Sequence, residues 1–274
     1  MEQALNLPTI GILGVGVIGT ALAHGFATAQ PAYPLLLSSL DKKNMINLAA
    51  RFPHRVRLAN HNQQLLDEAD WLILALPPAQ GEAILQPLRF RPEHKVINLL
   101  ADKSLEQITS WIGSTSLLAH MVPLPFVAQH IGPIVIYPHS EELIGLISPL
   151  GQVIVVNSPH EVHVLQAITA LMAPFDTLMD HIVQWADQNG VDEMSAKAYT
   201  AAFLGAICQQ VAQAPAGRLH ELSNEMTPGG LNAMAKEYIG HRNAFTAWID
   251  ALNPVMERLE VTSSVSRAKT SKNA

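Results

Sequence analysis

The chain has 274 residues, of which 49% are hydrophobic and 15% charged, so it has enough apolar surface for one or two folded cores. Its net charge of −6 offers no basic surface for a nucleic acid, and we expect no nucleic-acid partner. The single cysteine, Cys208, excludes an internal disulfide and favours a cytoplasmic location. The first Lys or Arg is Lys42, so a secretory signal is not expected. No membrane segment is expected either, since no apolar run approaches the ~20 residues of a membrane span.

The segment 9–25 predicts a short apolar strand, a glycine-rich turn and a helix of small residues. Gly14 allows the tight turn, Gly16 lets the backbone approach a pyrophosphate, and Gly19 lets the helix pack on the strand. The helix N-terminus then faces the phosphates with its N–H groups and the positive end of its dipole. The first helical residues expected to take part are Val17 and Ile18. This pattern predicts a site for NAD or NADP.

Further along the chain, strand-like segments alternate with helical ones, which indicates βαβ units and a doubly wound, mostly parallel sheet. The predicted strands cover residues 34–38, 56–58, 71–76, 95–99, 117–120, 133–137 and 152–156. The predicted helices between them cover residues 41–51, 63–68, 79–88, 104–112 and 140–147. After residue 157 only helical spacing remains, at 160–172, 175–187, 191–214 and 243–259. The sequence therefore predicts an α/β protein with a Rossmann domain at 1–157, an all-helical domain at 158–260 and a disordered tail at 261–274.

The end of the second predicted strand bears on the choice between NADP and NAD. An acidic residue there bonds the ribose 2′-hydroxyl of NAD, whereas hydroxyl groups and cations accept the 2′-phosphate of NADP. Ser38, Ser39 and Lys42 are suited to the phosphate. Asp41 is close enough to take the NAD role, although it also suits a helix N-cap. The sequence favours NADP and leaves NAD open.

A second glycine pair lies near the C-terminus, in the segment Thr227-Pro-Gly-Gly230. Thr227 is a typical N-cap and Pro228 suits the first helical position, so a helix is predicted to begin there. Gly229 and Gly230 would then present bare N–H groups at the helix start. These groups predict a carboxylate site, although an ordinary capped helix start has the same pattern.

The pairing of GILGVGVIGTALAHG with TPGGLNAMA resembles the pyrroline-5-carboxylate reductase family, over residues 8–260. Asn62 and the segments 70–78 and 121–125 also fall in the family's order. The resemblance implies a Rossmann domain followed by a helical dimerisation domain, in a homodimer or larger homo-oligomer whose subunits interleave their helices. It also implies that NADPH or NADH reduces the C=N bond of a cyclic imino acid, forming proline or a related cyclic amino acid.

The resemblance assigns roles to particular residues. Gly229 and Gly230 are expected to hold the substrate carboxylate, and Thr227 and Asn232 are the candidate catalytic residues, with Asn232 bonding the substrate nitrogen or carboxylate. The expected cofactor-binding residues are Gly14, Gly16, Val17, Ile18, Gly19, Ser38, Ser39, Lys42, Asn62, Leu76 and Pro78. No metal is expected, since His160 and His163 share a helix face with no ligand set around them.

Several positions depart from the family pattern and leave alternatives open. Pro77 stands where the family has a lysine, Leu124 where it has an asparagine, and Leu231-Asn232 where it has two threonines. These changes favour a divergent relative with an altered substrate. A β-hydroxyacid dehydrogenase is one alternative, but it needs an asparagine four residues after its lysine, and Lys197 is followed by Ala201. The other is an NADP-binding regulator or scaffold that has lost catalysis.

Overall fold

The computed structural model describes residues 7–38, 42–225 and 227–260, with the backbone alone at 42–45. The chain forms two compact units. Of the described residues, those up to Gln166 and those from Glu257 to 260 belong to the first unit, and those between Ala167 and Met256 belong to the second. The division falls inside a helix and not after residue 157, because that helix begins on the first unit. The predicted tail at 261–274 lies outside the described residues.

The first unit is built on one eight-stranded sheet with the order β3-β2-β1-β4-β5-β6-β7-β8. Neighbouring strands are parallel except β6 and β7, which are antiparallel. The strands are β1 Ile10–Leu13, β2 Leu35–Leu37, β3 Val56–Leu58, β4 Trp71–Leu74, β5 Lys95–Asn98, β6 Leu117–Val122, β7 Pro133–Tyr137 and β8 Gln152–Val155. All eight predicted strands are present, which confirms the Rossmann-type, mostly parallel sheet.

The helices of the first unit cover both faces of this sheet. They are α1 Val17–Thr28, α2 Lys42–Arg51, α3 Asn62–Glu68, α4 Gly81–Leu85, α5 Leu105–Ile112 and α6 Glu141–Ile147. Short 3-10 helices lie at Pro78–Gln80, Pro125–Gln129 and Ser148–Leu150. Successive strand residues enter opposite cores: Ile12 belongs to one buried cluster and Leu13 to the other. A sheet buried on both faces explains why its central strands are continuous apolar runs without polar alternation.

The described residues of the second unit form helices joined by turns and loops, with no strand among them. Its helices are α8 Met172–Gln188, α9 Glu193–Gln213, α10 Leu219–Leu222, α11 Leu231–Gly240 and α12 Ala244–Asp250, and α7 Pro159–Thr169 crosses the division between the units. A last helical segment covers residues 252–260. Unlike the first unit, this one exposes large apolar side chains, including Met194 (81% exposed), Leu231 (80%) and Tyr199 (74%).

One described helical stretch, Pro159–Gln188, is long and apolar enough to pass for a membrane-crossing helix by length and composition. The sequence-based expectation that no such stretch exists was therefore too strong. The stretch is interrupted at residues 170–171, between α7 and α8, and 11% of its apolar window is buried. Helices that pack against other protein pass the same test, so this single stretch is weak evidence for a membrane.

Candidate functional site

The turn between β1 and α1 has the geometry that the glycine pattern predicts. Gly14 adopts φ +93°, and a Cβ on it would lie 2.4 Å from the carbonyl oxygen of Ala75. A Cβ on Gly19 would lie 2.1 Å from the carbonyl oxygen of Gly14, so α1 packs directly on the turn. A side chain at either position would have to displace backbone. Both glycines are therefore required by the fold of the first unit itself.

Gly16 is different, because a Cβ there would meet no atom within 4 Å. It is exposed and is the N-cap of α1. The first bond of the helix runs from the Thr20 N–H to the Gly16 carbonyl oxygen, at 2.9 Å. Helix geometry leaves the N–H groups of Val17 and Ile18 without intrahelical acceptors. The first turn of α1 contains no acidic residue, so this open end suits an anion such as a pyrophosphate.

This turn lies where the strand order of the sheet reverses. β1 has β2 on one side and β4 on the other, and all three strands end at the same edge. Open α/β sheets bind ligands at such a switch point, outside the carboxyl ends of their strands. Leu76 and Pro78 follow β4 at this edge, and Leu76 is buried within 3.3 Å of a Cβ built on Gly14. Asn62 begins α3 just after β3, at the same edge.

Ser38 has a different position from the one predicted. Its side chain is fully buried, and its hydroxyl accepts a hydrogen bond from the Gly14 N–H at 2.9 Å. The prediction that Ser38 contacts a 2′-phosphate is therefore corrected: burial assigns this hydroxyl to the glycine turn. Ser39 and Asp41 lie outside the described residues, and Lys42 is the first residue of α2. Ser39 and Lys42 thus remain the candidates for the phosphate contact.

The helix after the second glycine pair begins later than predicted. α11 begins at Leu231 with Gly230 as its N-cap, not at Pro228 with Thr227 as its cap. The Thr227 carbonyl oxygen accepts the Gly230 N–H at 2.9 Å, and Gly229 adopts φ +72°. Residues 227–230 therefore form a turn that places the first N–H groups of the helix at Leu231 and Asn232. The Gly230 N–H is already used inside the turn, which narrows the predicted carboxylate site to Gly229 and the helix end.

A polar cluster at the ends of β5 and β6 was not predicted as a site. Asn98 is fully buried, and its Nδ2 donates to His120 Nδ1 at 3.1 Å and to the Lys103 carbonyl oxygen at 3.2 Å. Burial lowers the pKa of His120 to about 4, and His163 adds to this effect when it is protonated. His120 is therefore neutral at pH 7. Lys103 Nζ pairs with Asp102 Oδ2 at 3.1 Å, and the two side chains are only 16% and 23% exposed.

The sequence carried a weak signal for this cluster. Asn98 ends a buried strand, and Asp102 and Lys103 follow it at the edge where open α/β sheets bind ligands. Single polar residues on separate strands have no spacing rule, however, and only the sheet register brings Asn98 beside His120.

The fold and the glycine turn define a Rossmann-type dinucleotide-binding protein with a helical second unit. In agreement, residues 9–102 match the family model described as "NADP oxidoreductase coenzyme F420-dependent". A comparison with curated protein sequences gives no match.

Solved structures of pyrroline-5-carboxylate reductases are similar to almost the whole chain. The enzyme of Streptococcus pyogenes has a TM-score of 0.80 at 18% identity, covering 93% of this chain and 99% of its own. The Plasmodium falciparum pyrroline carboxylate reductase, with NADP bound, has a TM-score of 0.81 at 16% identity, covering 93% and 98%. A reductive aminase from Aspergillus terreus with NADPH and ethyl levulinate has a TM-score of 0.54 at 17% identity, covering 76% and 75%.

These findings confirm the predicted resemblance to the pyrroline-5-carboxylate reductases at the level of the fold. The predicted cofactor, NADP, agrees with the description of the matched family and with the nucleotides bound in two of these structures.

Proposed function

We propose that this protein is an NADPH-dependent reductase of a cyclic imino acid. The observation that carries the proposal is the open helix end at Gly16, set at the switch point of a sheet whose fold matches pyrroline-5-carboxylate reductases along 93% of the chain. The cofactor would supply a hydride for the carbon of a C=N bond. Gly14 and Gly19 shape the turn, while Gly16, Val17 and Ile18 hold the pyrophosphate. Asn62, Leu76 and Pro78 line the cofactor cleft, and Ser39 and Lys42 bind the 2′-phosphate.

The substrate carboxylate is proposed to bind at the start of α11. The Thr227 carbonyl oxygen fixes Gly230 in the turn, and the left-handed conformation of Gly229 bends the chain ahead of the helix. The N–H groups of the first helical turn have no acceptors inside the helix, and they lie at the positive end of the helix dipole. Asn232, the second residue of α11, is the side chain proposed to bond the substrate carboxylate or nitrogen.

We also propose that the protein works in the cytoplasm as a homodimer or larger homo-oligomer. The described residues of the second unit bury little apolar surface: α8, α11 and α12 bury no residue, while α9 buries only Ala196 and Thr200. Large apolar side chains exposed on these helices include Trp185, Phe203, Met234 and Phe245. Such surface is typical of obligate interfaces, which bury over ~2,000 Å² in total. Light scattering at micromolar concentration should give at least a dimer, and a monomer would contradict this part of the proposal.

The test of the reaction is turnover with cyclic imino acids of different ring sizes. NADPH oxidation that depends on both the imine and the protein, with the saturated cyclic amino acid as product, would support the proposal. Oxidation of a 2- or 3-hydroxy acid instead would favour the hydroxyacid dehydrogenase alternative. Tight NADPH binding without turnover of any imine would favour a regulator or scaffold.

A further inference from the structure

Asn98 fixes the loop that follows β5. Its side chain donates to the Lys103 carbonyl oxygen at 3.2 Å and accepts from the Leu100 N–H at 3.0 Å. The Lys103 N–H also donates to the Leu100 carbonyl oxygen, at 3.2 Å. The backbone of Lys103 is therefore held in place at the carboxyl end of the strand, and its side chain starts from a defined point.

The ion pair of Lys103 with Asp102 is incomplete. An ammonium group has three donors, and among the described residues Asp102 Oδ2 is the one hydrogen-bond acceptor of Lys103 Nζ. Asp102 Oδ1 is buried and has no hydrogen-bond partner in the same part of the chain. A mostly buried ion pair is costly unless its remaining donors and acceptors are satisfied. The pair thus has donor capacity left for a bound molecule.

The titratable groups that act on His120 are His163 and Glu106. Burial lowers the pKa of both His120 and His163, so neither carries a charge at pH 7. The Glu106 carboxylate acts on His120 in the opposite direction, raising its pKa, but burial has the larger effect. Among the described residues of this cluster, Lys103 is the one lysine or arginine.

Lys103 also lies on the side of the sheet where the reaction is expected. A dinucleotide with its pyrophosphate on the β1–α1 turn has its adenosine ribose at the end of β2. Its nicotinamide half then extends to the other side of the switch point, toward β4 and β5. Lys103 follows β5 at the carboxyl edge.

We propose that Lys103 is the catalytic proton donor of the imine reduction and that Asp102 is its positioning residue. The inference rests on the proposed function. As the hydride adds to the C=N carbon, the electron pair of the π bond moves to nitrogen, which takes a proton from Lys103 Nζ. The product is a secondary amine, and the neutral lysine amine recovers its proton from solvent. A neutral imine accepts hydride poorly, so a positioned acid accelerates this step.

Two variants and a matched control test the assignment. Lys103→Met removes the acid, and Lys103→Arg keeps the charge beside Asp102 but cannot give up a proton. Both should lower kcat with a neutral cyclic imine by roughly 100-fold or more. Lys95→Met is the control. Lys95 is the first residue of β5, at the end of that strand opposite to Lys103, and its Nζ pairs with Glu142 Oε2 at 2.9 Å. This variant should keep kcat within about twofold.

The sharper test uses a cyclic N-methyl iminium ion, which is permanently cationic and needs no proton to be reduced. Lys103→Met should reduce this ion at a rate within about threefold of the parent protein, while it loses the neutral imine. Equal losses with both substrates would show that Lys103 only binds the substrate, and would overturn the assignment. Unchanged turnover of the neutral imine would also overturn it.

Two readouts independent of turnover separate a catalytic role from a structural one. Calorimetric NADPH affinity and the unfolding midpoint of Lys103→Arg should match those of the parent. If both Lys103 variants unfold or lose NADPH, Lys103 is structural and the proposal is wrong. If the parent protein reduces neither the imines nor the N-methyl iminium ion, the proposed function fails. If the parent protein is active and its Lys103 variants are equally active, the proposed function stands and only the role of Lys103 fails.

Discussion

The two glycine-rich segments of the chain differ in what requires their glycines. In the turn after β1, side chains at Gly14 and Gly19 would collide with backbone oxygens of the same unit, at 2.4 and 2.1 Å. In the turn before α11, a side chain at Gly229 would meet nothing within 4 Å, and α11 buries no residue. The first segment is specified by packing inside the chain. In the second, the described chain requires glycine through the left-handed conformation of Gly229 and through a contact within the turn itself, where a Cβ on Gly230 would lie 3.0 Å from the Thr227 carbonyl oxygen.

This difference separates two kinds of functional glycine. Gly14 and Gly19 are required by the packing of the turn, so the fold needs them whether or not a ligand binds. Gly16 has open space around it, as Gly229 does, and its value lies in what it lets approach. We therefore expect variants of Gly14 and Gly19 to lose stability, and variants of Gly16 and of the α11 start to lose binding or turnover.

Gly19→Ala and Gly16→Ala should differ strongly in their effects on stability and on NADPH binding. The added methyl of Gly19→Ala collides with the Gly14 carbonyl, and the backbone must move, so the free energy of unfolding should fall by about 3 kcal/mol. Gly16→Ala should change it by less than about 0.5 kcal/mol but weaken NADPH binding at least about tenfold, because its methyl stands where the pyrophosphate approaches. Denaturant titration and calorimetry measure the two quantities. If Gly16→Ala lowered the free energy of unfolding as much as Gly19→Ala, the distinction between glycines required by packing and glycines with open space around them would be wrong.

The pH dependence of the free energy of unfolding tests whether the interior of the first unit excludes water, as the close packing around its glycines indicates. Folded His120 takes up a proton only near pH 4, whereas the unfolded chain does so near pH 6.5, so the unfolded state binds more protons between these values. Stability is therefore unaffected above about pH 7 and falls as the pH drops from 6.5 to 4. A shift of this size is worth about 3 kcal/mol.

His120→Gln is the matched variant for this measurement, because its amide oxygen keeps an acceptor for Asn98. The pKa of His94 is also lowered by burial, but His94 and His163 are present in both proteins, so their contributions cancel in the comparison. The parent should lose about 3 kcal/mol more than His120→Gln between pH 7 and pH 4. Parallel losses would show that His120 is solvated in the folded protein.

The α11 start should respond through turnover and not through stability. Asn232→Ala should lower kcat/KM by roughly 10- to 150-fold, since a hydrogen bond to a charged group is worth about 1.5–3 kcal/mol. Gly230→Val should abolish turnover while leaving NADPH affinity unchanged, because Gly230 is not part of the glycine turn proposed to hold the nucleotide. Parent-like rates in either variant would make this turn purely structural, and the pocket would then be sought around His120 and Leu124.

The smallest expected effect concerns the choice of nucleotide. Lys42→Ala should raise the Kd for NADPH by roughly tenfold and leave that for NADH nearly unchanged, because only NADPH carries the 2′-phosphate. Adding Ser39→Ala should erode the preference further. Isothermal titration of both nucleotides checks this. A parent protein that binds NADH as tightly as NADPH would assign the role to Asp41.

The fold was predictable because its signals are strong and local. Apolar strands separated by helical spacing, with a glycine turn after the first strand, leave few arrangements for residues 9–156. The resemblance then supplied the second unit as a whole. The chain alone did not predict how little of that unit would be buried, because the apolar faces of α8 and α9 have the same spacing whether they pack inside one subunit or against another.

The errors in the site have a common cause, which is that sequence patterns do not show hydrogen-bond partners. Ser38 has the right type and position for a phosphate, but the tight turn at Gly14 takes its hydroxyl. Thr227 is a good N-cap by composition, but its carbonyl oxygen closes a turn with Gly230 and the helix begins later. Lys103 was not predicted because its ion pair with Asp102 and the bond from Asn98 to its carbonyl oxygen depend on the conformation of the loop after β5, which no residue pattern shows.

NADPH bound at the glycine turn is proposed to reduce a cyclic imino acid. The most direct test of this reaction is a panel of cyclic imino acids of different ring sizes, each mixed with the protein and either NADPH or NADH, with nucleotide oxidation followed spectrophotometrically. We predict oxidation with at least one imine, faster with NADPH, and formation of the matching saturated amino acid. A protein that binds NADPH tightly but oxidises it with none of the imines would contradict the account.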